Sequence, residues 1–136
     1  MLDIPVMGVN APKEHQRVIR KLTTGLAVLF TQGRIPYEPF PEVMVDESQT
    51  SPTPDVLLFD NQLQQNVAII EVSGKAGAKK DFSKVIEVCD EYEIAEGFVY
   101  DYISNTWRKY KYGVGEITDA PSFCESIGYD LNTFLQ

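Results

Sequence analysis

Residues 67–72 read Val-Ala-Ile-Ile-Glu-Val, five apolar side chains and one carboxylate. A run this short and this uniformly apolar suits a strand covered on both faces, which places it centrally in a sheet rather than at its rim. The acid is the anomaly. A carboxylate within such a strand is costly unless it reaches water, a lysine or a metal ion.

The rest of the chain supplies what such a strand needs. Residues 1–11 read as a lead-in, and Pro12 opens a helix, where its missing N–H costs nothing. Across 13–32, Val18, Ile19, Leu22, Leu26, Leu29 and Phe30 recur on one helical face, and Gly33 can end the helix. Residues 35–45 contain Pro36, Pro39 and Pro41, so this stretch is an edge strand or an extended arm. A short strand follows over 56–59, with Asp60-Asn61 as turn chemistry before the central run. A second helix fits 80–93, with Phe82, Val85, Ile86, Cys89 and Tyr92 on one side. Residues 97–100 and 106–112 read as strands joined by a Ser104-Asn105 turn. Arg108, Tyr110 and Tyr112 share one face of the last strand, and Trp107, Lys109 and Lys111 the other. A tail over 121–136, with Phe123, Ile127, Leu131 and Phe134, is expected to pack back onto the core. The order, roughly α-β-β-β-α-β-β, predicts one α/β (α+β) domain over 1–136, a mixed central sheet flanked by helices.

Composition narrows the function. With 136 residues and 43% hydrophobic residues, there is material for one core. Twelve basic residues face twenty acidic ones, for a net charge of −8 and a pI near 4.6. Such a chain repels nucleic acid on average, so any nucleic-acid role needs a local basic patch or a bound metal. No apolar run is long enough for a membrane span, and the N-terminus lacks the pattern of a signal peptide. Two widely spaced cysteines suit free thiols in a cytoplasmic protein. With one His and two Cys, a structural zinc site is not expected; a metal here would be held by carboxylates, which favours Mg²⁺, Mn²⁺ or Ca²⁺. No Ser-His-Asp or Cys-His nucleophile pattern exists, and Gly113-Val114-Gly115 is too short for a phosphate-cradling loop.

Two acids stand out. Asp55 follows Pro54 at the start of one strand, and Glu71 closes the next, 16 residues later. In an antiparallel pair those positions share one edge, so both carboxylates converge on one cation, with the Val72 backbone carbonyl as a further ligand. Pro54-Asp55 also has a plain reading as turn chemistry. Directly after Glu71 come Lys75, Lys79, Lys80 and Lys84, whereas residues 35–74 hold no Lys or Arg. Lys79 and Lys80 are candidate phosphate-binding residues or a solvated helix start. Lys84 borders the apolar face and can point toward Glu71. Asp81 reads first as a cap or first-turn acid. Glu14 and His15 read as exposed first-turn residues, with Glu14 a possible accessory to the site.

Taken together, Pro54-Asp55, the strand ending in Glu71 and a lysine beyond it resemble the PD-(D/E)XK nuclease superfamily. More closely, the chain resembles the Uma-two family of restriction-endonuclease-like proteins. The likeness is carried by Glu14-His15-Gln16-Arg17-Val18-Ile19, Thr53-Pro54-Asp55-Val56, Ile70-Glu71-Val72-Ser73, Asp81-Phe82-Ser83-Lys84, Glu96-Gly97-Phe98-Val99-Tyr100-Asp101 and Ser126-Ile127-Gly128-Tyr129-Asp130-Leu131. Ser73 occupies the place of the superfamily's lysine, Lys75 comes two residues late, and Lys84 matches a lysine displaced to the helix. The resemblance implies a restriction-endonuclease-like core and Mg²⁺- or Mn²⁺-dependent hydrolysis of phosphodiester bonds in DNA. Asp55 and Glu71 would be metal ligands, with Lys84, or Lys75 in its place, as the catalytic lysine. It also implies a homodimer, since two sites are needed to cut two strands. The alternative is a catalytically inactive module of the same fold, acting in binding or protein interaction. A third reading makes 35–41 a docking edge for a partner.

Overall fold

The computed structural model describes residues 12–136; the lead-in expected over 1–11 lies outside the described residues. Helix α1 spans Lys13–Thr31, with Pro12 in extended backbone at its N-cap. Gly33 follows its end at φ 73°, a left-handed conformation that costs glycine little. Strands β1 (Glu38–Pro41), β2 (Val56–Asp60) and β3 (Gln65–Ser73) come next. Helix α2 (Ala78–Tyr92) leads to β4 (Glu96–Asp101), β5 (Thr106–Lys111) and β6 (Gly115–Ile117). The chain closes with the small hairpin β7 (Phe123–Cys124) and β8 (Tyr129–Asp130) and a 3₁₀ segment, Leu131–Leu135.

The fold is α+β: six strands form one mixed sheet in the order β1 to β6, with a helix on each face. Strands β3 and β4 run parallel, and every other neighbouring pair is antiparallel. A parallel pair needs a crossover, and α2 supplies it. The central run is flanked by β2 and β4, and β1, with Pro39 and Pro41, forms an edge. The sequence pattern missed β6, β7 and β8: two or three residues cannot display a period-two alternation.

The pleat sorts the core into two layers. Val56, Leu58, Ala68, Ile70 and Val72 pack on the α1 side with Leu22, Leu26 and Phe98. Leu57, Ile69 and Val99 pack on the α2 side with Phe82, Val85 and Cys89. Alternation therefore turns Glu71 and Ser73 toward α2. The tail lies on the α1 side, where Cys124 and Leu131 are fully buried.

Helix α2 crosses β4 at Gly97. A methyl group there would sit 2.7 Å from Cys89 Sγ and collide with Val85 Cγ1. Gly97→Ala is expected to destabilise the protein by about 1–3 kcal/mol, since the packed layer has no room for it. A urea midpoint that falls at unchanged slope checks this, and an unchanged midpoint would mean that α2 shifts freely.

Candidate active site

Asp55 stands one residue before β2, and the pairing of Val56 with Ile70 brings it level with Glu71. The two acids are tied together through the backbone. Asp55 N–H donates to Glu71 Oε1 at 2.9 Å, and Val72 N–H donates to Asp55 Oδ2 at 2.7 Å. Each carboxylate thus satisfies a main-chain donor where the ladder between the strands stops. The second oxygens, Asp55 Oδ1 and Glu71 Oε2, take no hydrogen bond from the described residues. In a strand the N–H and C=O of one residue point the same way, so the Val72 carbonyl shares the side on which its N–H meets Asp55.

Both acids are shielded. Burial, followed by the neighbouring Asp55 carboxylate, pushes Glu71 up to about 8, and Lys84 offsets part of that. Burial also raises Asp55, against the hydrogen bond from Val72 and the charge of His15. Beside Glu71 opens a cavity of about 230 Å³, lined by Lys84 together with Pro52, Thr53, Pro54, Ile69, Val85 and Val88. Lys84 makes no ion pair among the described residues, so its ammonium shares the cavity with Glu71 without being locked to it.

The other expected residues divide. Lys75 is exposed in the loop after β3 at φ 51°, and Lys79 and Lys80 are exposed on the first turn of α2. None of the three lines the cavity. Asp81 falls in the first turn of α2, one of its two expected readings; the other, a cap, is not seen, since Gly77 is the N-cap residue and no side-chain cap bond forms. Asp81 instead accepts a hydrogen bond from Ser73 Oγ, which pins the start of α2 to the end of β3. Ser73 is therefore spent on that lock. Glu14 is exposed and pairs with Arg17.

His15 corrects the expectation of a surface residue. Its Nε2 lies 3.4 Å from Asp55 Oδ2, and only 20% of its side chain is exposed. The signal was present: His15 precedes Leu22 by seven residues and Leu26 by eleven, which is the apolar face of α1. Sequence reasoning also passed over Glu42, whose N–H donates to the Asp55 carbonyl at 3.2 Å and whose charge adds to the negative field.

Among the described residues, no group of three or more His, Cys, Asp and Glu side chains is arranged to hold a metal ion. The donors available at this strand end are two free carboxylate oxygens and the Val72 carbonyl. That set fits Mg²⁺ or Mn²⁺, hard ions that keep several waters and bind through one or two carboxylates plus substrate phosphate.

Sheet, helices and paired acids define a mixed α+β domain with a carboxylate site at the strand ends. No family model matches the chain, and no curated protein matches it. Among solved structures, it is similar to a chain of Anabaena variabilis ATCC 29413, described as a "putative nuclease belonging to DUF820". The TM-score is 0.67 at 16% identity, over 90% of this chain and 82% of that one. The two share a fold.

Proposed function

We propose that this protein is a Mg²⁺- or Mn²⁺-dependent nuclease of PD-(D/E)XK type that hydrolyses phosphodiester bonds in DNA. One observation carries the reading: at one edge of the sheet Glu71 accepts from Asp55 N–H, Asp55 accepts from Val72 N–H, and each carboxylate keeps one free oxygen. The fold shared with a nuclease-like neighbour supports it. The ion would be held by Asp55, Glu71 and the Val72 carbonyl, where it would supply an activated water and polarise the phosphate. Asp55 and Glu71 fix their free oxygens by spending the other two on backbone donors. Lys84 stabilises charge that develops on the phosphate oxygens from across the cavity. His15 holds Asp55 from the helix side. The protein acts in the cytoplasm as a homodimer, each copy cutting one strand.

A second reading, a catalytically inactive module of this fold, is favoured by one observation. Glu71 at about 8 keeps its proton at neutral pH unless a cation displaces it.

Calorimetric titration with Mn²⁺ over a pH series, paired with plasmid cleavage, tests both readings. Bound cation requires the Glu71 carboxylate, so affinity should rise with pH. Each pH unit below about 8 should weaken it by up to about tenfold, and the dependence should flatten above that value. Binding that ignores pH would remove Glu71 from the ligand set. A protein that neither binds Mn²⁺ nor cleaves at any pH is the inactive module.

A further inference from the structure

We infer that the outer face of α1 is the surface along which the phosphate backbone of DNA docks, separate from the lysines of α2. The inference rests on the nuclease reading but not on the metal. Helix α1 holds four of the twelve basic residues, Lys13, Arg17, Arg20 and Lys21, and one of the twenty acids, Glu14. It therefore carries +3, and the remainder of the chain carries −11. Helix α2, by contrast, balances Lys79, Lys80 and Lys84 against Asp81, Glu87, Asp90 and Glu91. Strand β5 also carries +3, but Arg108, Lys109 and Lys111 are each paired with an acid, whereas among the described residues only Arg17 is paired on α1.

Its arrangement is linear. Lys13, Arg17 and Arg20 are spaced four and three apart, so they form one row on the face opposite Leu22 and Leu26. All three are exposed, and with Gln16 they line a shallow open groove. The row spans about 10 Å, on the order of three nucleotide rises of a B-form strand. Among the described residues, Arg17 is the one member with an ion partner, the exposed Glu14, and such a pair is readily exchanged for a phosphate. The row and the site share the N-terminal end of α1 on different faces: His15, two residues after Lys13, turns about 200° away from the row to contact Asp55. A strand bound along the row passes over the start of α1 to reach the carboxylates. The apolar face of α1 is occupied by the sheet, which leaves no apolar side for insertion into a lipid surface.

The test measures binding of a fluorescein-labelled DNA duplex by anisotropy, in EDTA, over a series of salt concentrations. The proteins are wild type, the triple variant Lys13→Gln, Arg17→Gln and Arg20→Gln, and the double variant Lys79→Gln and Lys80→Gln. Glutamine keeps helix propensity, and circular dichroism verifies that each variant folds. The triple variant should bind at least about tenfold more weakly at low salt. The slope of log affinity against log salt should fall by about 2–3, one lost phosphate contact for each residue. The double variant should stay within about twofold of wild type. Equal binding by wild type and the triple variant overturns the inference and leaves the nuclease reading to the Mn²⁺ titration. Wild type that binds phosphatidylserine vesicles through these residues, but not DNA, also overturns it. Cleavage of the same duplex in Mn²⁺ without α1-dependent binding in EDTA separates the two: the enzyme stands and the docking face falls.

Discussion

Asp55→Asn should abolish calorimetric Mn²⁺ binding and lower plasmid cleavage by on the order of 10²–10³ or more. The substitution is nearly isosteric. An amide oxygen can still accept from Val72 N–H, the bond that joins Asp55 to β3 at 2.7 Å, so the strand end stays closed. What is lost is the charge and one of the two free oxygens facing the cation. Removing it also removes a carboxylate that raises Glu71, so Glu71 should titrate closer to an ordinary glutamate in the variant. That second effect separates a damaged site from a damaged fold. A variant with wild-type urea stability and no Mn²⁺ heat supports the assignment. One that binds Mn²⁺ and cleaves as wild type does would remove Asp55 from the site.

Lys109→Met should be the most destabilising single substitution outside the apolar core, by about 3–5 kcal/mol. Lys109 is 1% exposed, and its ammonium lies 2.9 Å from Glu96, 3.0 Å from Glu125 and 2.8 Å from the Phe123 carbonyl. Methionine fills the same space but leaves Glu96, itself 2% exposed, as a buried charge without its partner. Urea denaturation reads the loss. The double variant Lys109→Met with Glu96→Gln should recover part of it, because no lone charge remains. Acid should act on the same cluster. Burial by itself raises Glu96, but hydrogen bonds from Ser126 and Lys109 outweigh it and hold the carboxyl below the usual glutamate range. A carboxyl held low in the folded state adds stability above its unfolded value and loses it as pH falls through the folded one. Wild type should therefore lose stability steeply in acid, and Glu96→Gln should flatten that slope. A Lys109→Met protein as stable as wild type would show that water reaches the cluster.

Legibility differed between fold and site for physical reasons. The 3.6-residue spacing of Val18, Ile19, Leu22, Leu26 and Leu29 and the apolar run around Ile69 were sufficient to locate α1 and the central strand, because burial writes itself into periodicity. Asp55 and Glu71 were legible as neighbours because a short turn between two strands leaves one pairing. His15 was legible only in part: its spacing from Leu22 and Leu26 sets it on the inner face of α1, but its contact with Asp55 depends on α1 lying near the start of β2, which no local spacing encodes. Lys109 was hidden in the same way. Its alternation with Trp107 gave its face, but the acids that allow it to be buried come from β4 and the tail. Asp81 lies in the first turn of α2 as its type and place suggest, but its carboxylate accepts from Ser73 at the end of β3, a contact outside the helix that helical spacing does not encode.

The tail has a consequence for how the molecule is made. Gly25, in the middle of α1, has no side chain because the Phe134 ring occupies that space, and Leu131 is sealed into the same layer as Leu22 and Leu26. Helix α1 thus finishes its packing against residues that follow it at the far end of the described chain. Until residue 134 is free of the exit tunnel, the inner face of α1 has a hole in it, and Glu96 and Lys109 lack Ser126 and Glu125. Because the chain grows from its N-terminal side, the α1-side layer of the core closes only once the tail has been made, whereas the α2-side layer uses no tail residue.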